Sequence, residues 1–85
     1  MKIGINYKGN KSFRLLNIYE RLNKGELVKK GQLAEYFGVT PKTIQRDIDD
    51  LRAYLAETHF SETEVKIKYD KDRNGIILFA LNVNG

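Results

Sequence analysis

Gln32-Leu33-Ala34-Glu35-Tyr36-Phe37-Gly38-Val39-Thr40-Pro41-Lys42-Thr43-Ile44-Gln45-Arg46-Asp47-Ile48-Asp49-Asp50-Leu51 reads as one helix, a sharp turn and a second helix that holds polar side chains outward. The spacing predicts the first of these helices over about 31–37, with Leu33, Tyr36 and Phe37 as its apolar face. Ala34 is small where a crossing helix must come close. Gly38 supplies the positive φ that stops this helix and reverses the chain. Thr40 caps the next helix, and Pro41 fits its first turn, where no amide partner is lost. Ile44, Ile48, Leu51 and Leu55 form one stripe at about 100° per residue. Lys42, Arg46, Asp49 and Ala53 point nearly opposite, and Thr43 and Gln45 lie on the flanks. A helix whose first turn protrudes in this way meets the physical requirement for entering the major groove of DNA.

Upstream, Ser12 is expected to cap a helix carrying Phe13, Leu15, Leu16, Ile18, Tyr19 and Leu22, and Gly25 to end it in a left-handed conformation. Gly25 to Gly31 is a connector in which Leu27-Val28 suits a one-bridge strand. Residues 1–11 form an arm or, from the alternation of Ile3, Ile5 and Tyr7, a short strand. Downstream, Glu57 to Glu64 reads as loop. Val65, Ile67 and Tyr69 alternate with Lys66 and Lys68, a strand with one buried and one basic face. Asp70 to Gly75 is a turn carrying the Asn74-Gly75 hairpin signal. The return strand from Ile76 to Leu81 is apolar on both faces, so the pattern leaves its inward register open. Its uncovered face suggests docking of the N-terminal arm, a second protomer or a further domain. The expected architecture is α+β: a winged helix-turn-helix over 12–81, with three helices, a C-terminal β-hairpin wing and a tail at 82–85.

The totals bound the function classes. At 85 residues there is room for one small domain. Cysteine is absent and His59, read as an exposed loop residue, stands alone, so no thiolate or histidine metal site is expected. No Ser/His/Asp set has a credible geometry at this size and no Gly-rich phosphate loop is present, so an enzyme is not expected and no cofactor is implied. No run is apolar enough to span a bilayer, and residues 1–6 lack the apolar stretch of a signal peptide. The expected location is therefore cytoplasmic, without membrane contact. Net charge is +4 and pI about 9.4, which favours an anionic partner.

The third helix gives the candidate site. Its free N-terminal amides and dipole favour a phosphate, and the Thr40 and Thr43 hydroxyls join them. Lys42 and Arg46 reach phosphate or guanine, and Gln45 can pair with adenine by two hydrogen bonds. Lys71 and Arg73 at the hairpin tip suit backbone phosphate or the minor groove. The charge count opposes this: residues 40–57 hold three cations against four carboxylates. Attraction would have to come from neighbours, namely Lys8, Lys11, Arg14, Lys29, Lys30, Lys66 and Lys68 with the hairpin tip. Asp47 lies about 60° from the apolar stripe, which predicts a structural bond to a first-helix side chain. Asp49 is expected to orient Arg46 or Lys42, or else to accept from a cytosine amine. The alternatives are a winged-helix protein-interaction module and a non-specific nucleic-acid binder.

Leu33 to Thr40, followed by Thr43-Ile44-Gln45-Arg46-Asp47-Ile48-Asp49-Asp50-Leu51, resembles the DeoR-type winged helix-turn-helix. The run is especially similar to the N-terminal domain of WYL-domain bacterial transcriptional regulators. The resemblance covers about 12–81 and rests most on Thr-Ile-x-Arg-Asp-Ile-x-x-Leu. It implies binding to double-stranded operator DNA, usually as a homodimer, with Thr40, Lys42, Thr43, Gln45 and Arg46 facing the duplex and Arg73 in the wing. Such regulators usually carry a C-terminal effector or dimerisation domain, so the chain is expected to be an excised domain or a stand-alone regulator. Pro41 and Lys42 depart from the residues common after the cap, so base preference does not carry over.

Overall fold

A computed structural model of the chain describes residues 9–58 and 63–82, with side chains described over 9–57 and 66–78. Three helices, α1 (Lys11–Asn23), α2 (Lys30–Phe37) and α3 (Pro41–Thr58), precede two strands, β1 (Thr63–Asp70) and β2 (Gly75–Asn82). The strands pair antiparallel, and the whole is an α+β winged helix-turn-helix.

α1 begins earlier than the hydroxyl at Ser12 suggested. Asn10 is the cap: its side-chain oxygen accepts from the Ser12 and Phe13 amides at 2.8 and 3.4 Å. Asparagine caps as well as serine does, and Asn10 already has the extended backbone a cap needs. The helix ends as expected. Gly25 takes φ 85°, and the Glu26 and Gly25 amides close back on the Arg21 and Leu22 carbonyls, each at 3.0 Å. Leu27-Val28 does form a one-bridge strand, through paired Val28–Ile76 backbone bonds of 2.8 and 2.7 Å.

α2 ends at Gly38, φ 73°, with the Val39 amide on the Ala34 carbonyl at 2.9 Å. Its buried face is Leu33, Ala34 and Phe37. Tyr36, expected on that face, is 45% exposed. At helical spacing it stands roughly 100° from the centre of the other three. Its ring instead meets Phe37 edge-on at 5.1 Å and lies under the Arg21 guanidinium at 5.3 Å.

The α3 stripe of Ile44, Ile48, Leu51 and Leu55 is buried against Ile18 and Leu22 of α1 and the α2 face. The helix continues through Thr58 and β1 starts at Thr63, so the expected loop over 57–64 gives up both ends. Ala56 and Glu57 sustain a helix readily, and the anchored Leu55 carries the last turn with it. His59 lies outside the described residues, as do residues 1–8 with the expected Ile3-Ile5-Tyr7 strand.

The hairpin decides the open register. Ile67 pairs with Leu78 and Tyr69 with Ile76, so these four share one face of the sheet. Ile67 and Ile76 are buried in the core and Leu78 packs on it, which makes Ile76 and Leu78 the inward set. Tyr69, expected to be buried by alternation, is half exposed and lines an open cleft between the wing and the start of α2. Asn74 and Gly75 divide the turn signal between them. Asn74 takes the left-handed conformation, φ 55°, in a four-residue loop over 71–74. Gly75 opens β2, where an added Cβ would sit 2.7 Å from Leu27 Cγ and 3.1 Å from the Val28 carbonyl.

Candidate nucleic-acid interface

The turn at Gly38 to Thr40 sets the start of α3 outside the core. Thr40 Oγ1 accepts from the Thr43 amide at 3.2 Å and lies 3.0 Å from Thr43 Oγ1. The cap forecast for Thr40 is therefore present, and both hydroxyls sit in the first turn. Lys42 and Arg46 are exposed on the outer face, one turn apart, with no hydrogen-bond or ion-pair partner among the described residues. Thr43 and Gln45 are half-buried on the flanks.

The acidic count of α3 does not survive as a field at this surface, because each of its three aspartates meets a cation. Asp47 is fully buried and takes a two-pronged bond from Arg14, Nε to Oδ2 at 2.6 Å and Nη2 to Oδ1 at 3.2 Å. This is the first-helix partner that its wheel position predicted. The Asp47 carboxylate raises the Arg14 pKa above its ordinary value, chiefly through the hydrogen bond. Arg14 also donates to the Gly9 carbonyl. Asp50 holds Lys11 at 2.5 Å, and that contact raises the Lys11 pKa. Asp49 accepts from Arg52 Nη1 at 3.0 Å. Lys11 and Arg14, expected to add attraction for an anion, are thus spent on α3 itself.

Asp49 does not orient Arg46 or Lys42. It accepts from Gln45 Nε2 at 3.0 Å, one helical turn away on the same side. Gln45 Oε1 in turn accepts from Lys30 Nζ at 2.8 Å, so Lys30 joins the third helix rather than standing free beside it. Arg52 Nε donates to the Ile67 carbonyl at 3.1 Å, tying α3 to the first wing strand. The Gln45–Asp49 and Asp49–Arg52 pairs were open to inference from their spacing of four and three. The Lys30–Gln45 and Arg52–Ile67 bonds were not, since they join separate elements.

The wing tip holds Lys71 and Arg73, both exposed. Arg73 Nε is bound to Asp70 Oδ2 at 2.9 Å, while Asp70 Oδ1 accepts from the Asp72 and Arg73 amides. The Arg73 contact, first among the causes, lowers the Asp70 pKa below its ordinary 3.8. Lys71 has no such partner among the described residues. Lys29, Lys30 and Gln32 at the start of α2 share a cleft with Tyr69 and Asn74 of the wing. Thus Lys30 and Gln45 are brought together, Thr40, Lys42, Thr43 and Arg46 share one helical end, and Lys71 and Arg73 form a separate group.

Among the described residues no helix is long and apolar enough to cross a membrane, and no cluster of metal-ligating side chains occurs. No curated protein and no solved structure matches the chain. A family model described as an HTH domain matches residues 14–76, from the buried arginine of α1 to the first core residue of β2. The match spans most of the sequence and contains both helices of the turn, so the chain belongs to the HTH domain family, a class that binds DNA.

Proposed function

We propose that the chain is the DNA-binding part of a DeoR-type transcriptional regulator, similar to the N-terminal domain of WYL-domain regulators, acting in the cytoplasm. The first two turns of α3 enter the major groove, with Thr40, Lys42, Thr43, Gln45 and Arg46 toward the duplex. Lys71 and Arg73 of the wing meet the backbone or minor groove, and Lys30 flanks the site. One observation carries this reading. Lys42 and Arg46 stand exposed at the free end of α3 and unmatched among the described residues, while Asp47, Asp49 and Asp50 are each neutralised from behind or beside. The start of α2 adds support: its cap residue Lys29 makes no side-chain capping bond, which leaves the first amides open to a phosphate.

Fluorescence anisotropy with duplexes chosen from a random pool tests the proposal. Log affinity should fall against log salt with a slope of about −0.9 for each phosphate contacted. Arg46→Ala should weaken the chosen duplex by about 1–3 kcal/mol and random duplex by less. Equal losses on both would reduce the protein to a non-specific binder, and no binding to either would favour a protein-interaction module. Homodimerisation, or pairing with a further domain, belongs to the same reading. Its support is the exposure of Leu16 (72%) and Tyr54 (62%) along a shared apolar groove between α1 and α3. Light scattering on the chain alone and on the duplex complex reads the stoichiometry.

A further inference from the structure

We propose that Gln45 reads an adenine in a single fixed orientation, and that Lys30 and Asp49 are positioning residues that set it; this rests on the DNA-binding reading above. The side-chain amide of Gln45 is held at both ends by opposite charges. Its Oε1 accepts from the Lys30 ammonium at 2.8 Å and its Nε2 donates to the Asp49 carboxylate at 3.0 Å. Turning the amide over would set N–H against an ammonium and C=O against a carboxylate, and both contacts would be repulsive. The charges therefore determine which end is oxygen.

The held amide keeps one free acceptor site on Oε1 and one free N–H on Nε2. Adenine presents N7 as acceptor and N6–H as donor in the major groove, the complement of that pair. Guanine presents two acceptors, N7 and O6, and leaves Oε1 facing an oxygen or a lone pair. Because the ends cannot exchange, A·T and T·A are also distinguished. Asp49 is itself held, since the same Oδ1 accepts from Arg52 Nη1 at 3.0 Å. Arg52 is anchored in turn on the Ile67 carbonyl of β1 at 3.1 Å. A continuous run of hydrogen bonds thus joins the start of α2, the reading side chain and the wing strand. Lys30, with one of its three N–H groups on Gln45, acts first on base choice and second on phosphate.

The test compares duplexes selected from a random pool by the full wild-type chain, Gln45→Ala and the double variant Lys30→Met, Asp49→Asn, with the single variants Asp49→Asn and Lys30→Met as intermediates. Wild type should enrich adenine at one position by roughly 10-fold or more over guanine. Gln45→Ala should erase the preference at that position only. In the double variant neither end of the Gln45 amide meets a charge, so the same position should relax by about 10-fold while the others persist. Random-duplex affinity should rise for Asp49→Asn, because the net charge of the chain becomes more positive by one. Without DNA, the Gln45 side-chain amide resonance should move in Lys30→Met and Asp49→Asn and stay in Lys42→Ala. Selection unaltered at the Gln45 position in the double variant, or uniform erosion at all positions with a lowered melting temperature, overturns the inference while leaving DNA binding intact. A wild-type chain that binds no duplex overturns both.

Discussion

Replacing Asp47 with alanine would leave the Arg14 guanidinium buried with no carboxylate to meet its Nε and Nη2. Removing one partner of a buried pair typically costs about 3–5 kcal/mol, a large part of the stability of a small domain. Thermal melts followed by circular dichroism should show Asp47→Ala severely destabilised. The double variant Arg14→Met, Asp47→Leu should recover most of the loss, because neither charge then remains in the core. A single variant melting with wild type would show that water, not Asp47, solvates the guanidinium. The existence of this bond was legible from the helical wheel, which put a charged residue beside an apolar stripe. The identity of the partner was not: Arg14 read equally well as a surface cation. The same limit applied to Lys11. Counting charges along a sequence treats each as free, whereas a fold assigns most of them to one another.

At the scale of elements, two glycines show different constraints. Gly38 is required for its φ of 73°, so Gly38→Ala should lower stability by about 1 kcal/mol through backbone strain at the helix turn. Gly75 is required for its missing Cβ, which would fall 2.7 Å from Leu27 Cγ where the connector meets β2. Gly75→Ala should therefore cost about 1–3 kcal/mol by overpacking, measured by urea unfolding, and Gly75→Ala combined with Leu27→Ala should cost less than the two apart. The sequence pointed to the first role correctly, since a glycine after an apolar helix is a local signal. It assigned the second to turn geometry, because the strand that crowds Gly75 is far away in the chain. The wing loop carries a pH dependence of defined sign. Arg73 and the loop amides hold the Asp70 pKa below 3.8, so the unfolded chain protonates this group first on acidification. The stabilisation is complete above the unfolded value and is lost as pH falls through the folded one. The melting-temperature gap between wild type and Asp70→Asn should therefore narrow as pH drops below 3.8.

Across the whole molecule, the +4 net charge matters less than its distribution. The aspartates of α3 are matched at the core side and along its flank, and its N-terminal end and the wing tip keep exposed cations. Lys71→Ala should weaken chosen and random duplexes alike and reduce the salt slope by about 0.9, read by anisotropy over a salt series. A change confined to the chosen duplex would place Lys71 at a base edge instead. Element order, the two glycine stops, the Thr40-Pro41 start and the Ile44–Leu55 stripe were all determined by the sequence alone, because each depends on residues within a turn or two of one another. Only the tertiary structure decided which face of β2 is inward, that Tyr36 lies outside the core, and that Gln45 is held between Lys30 and Asp49. Those outcomes depend on which distant groups reach bonding distance once the helices have packed, and local periodicity carries no information about that.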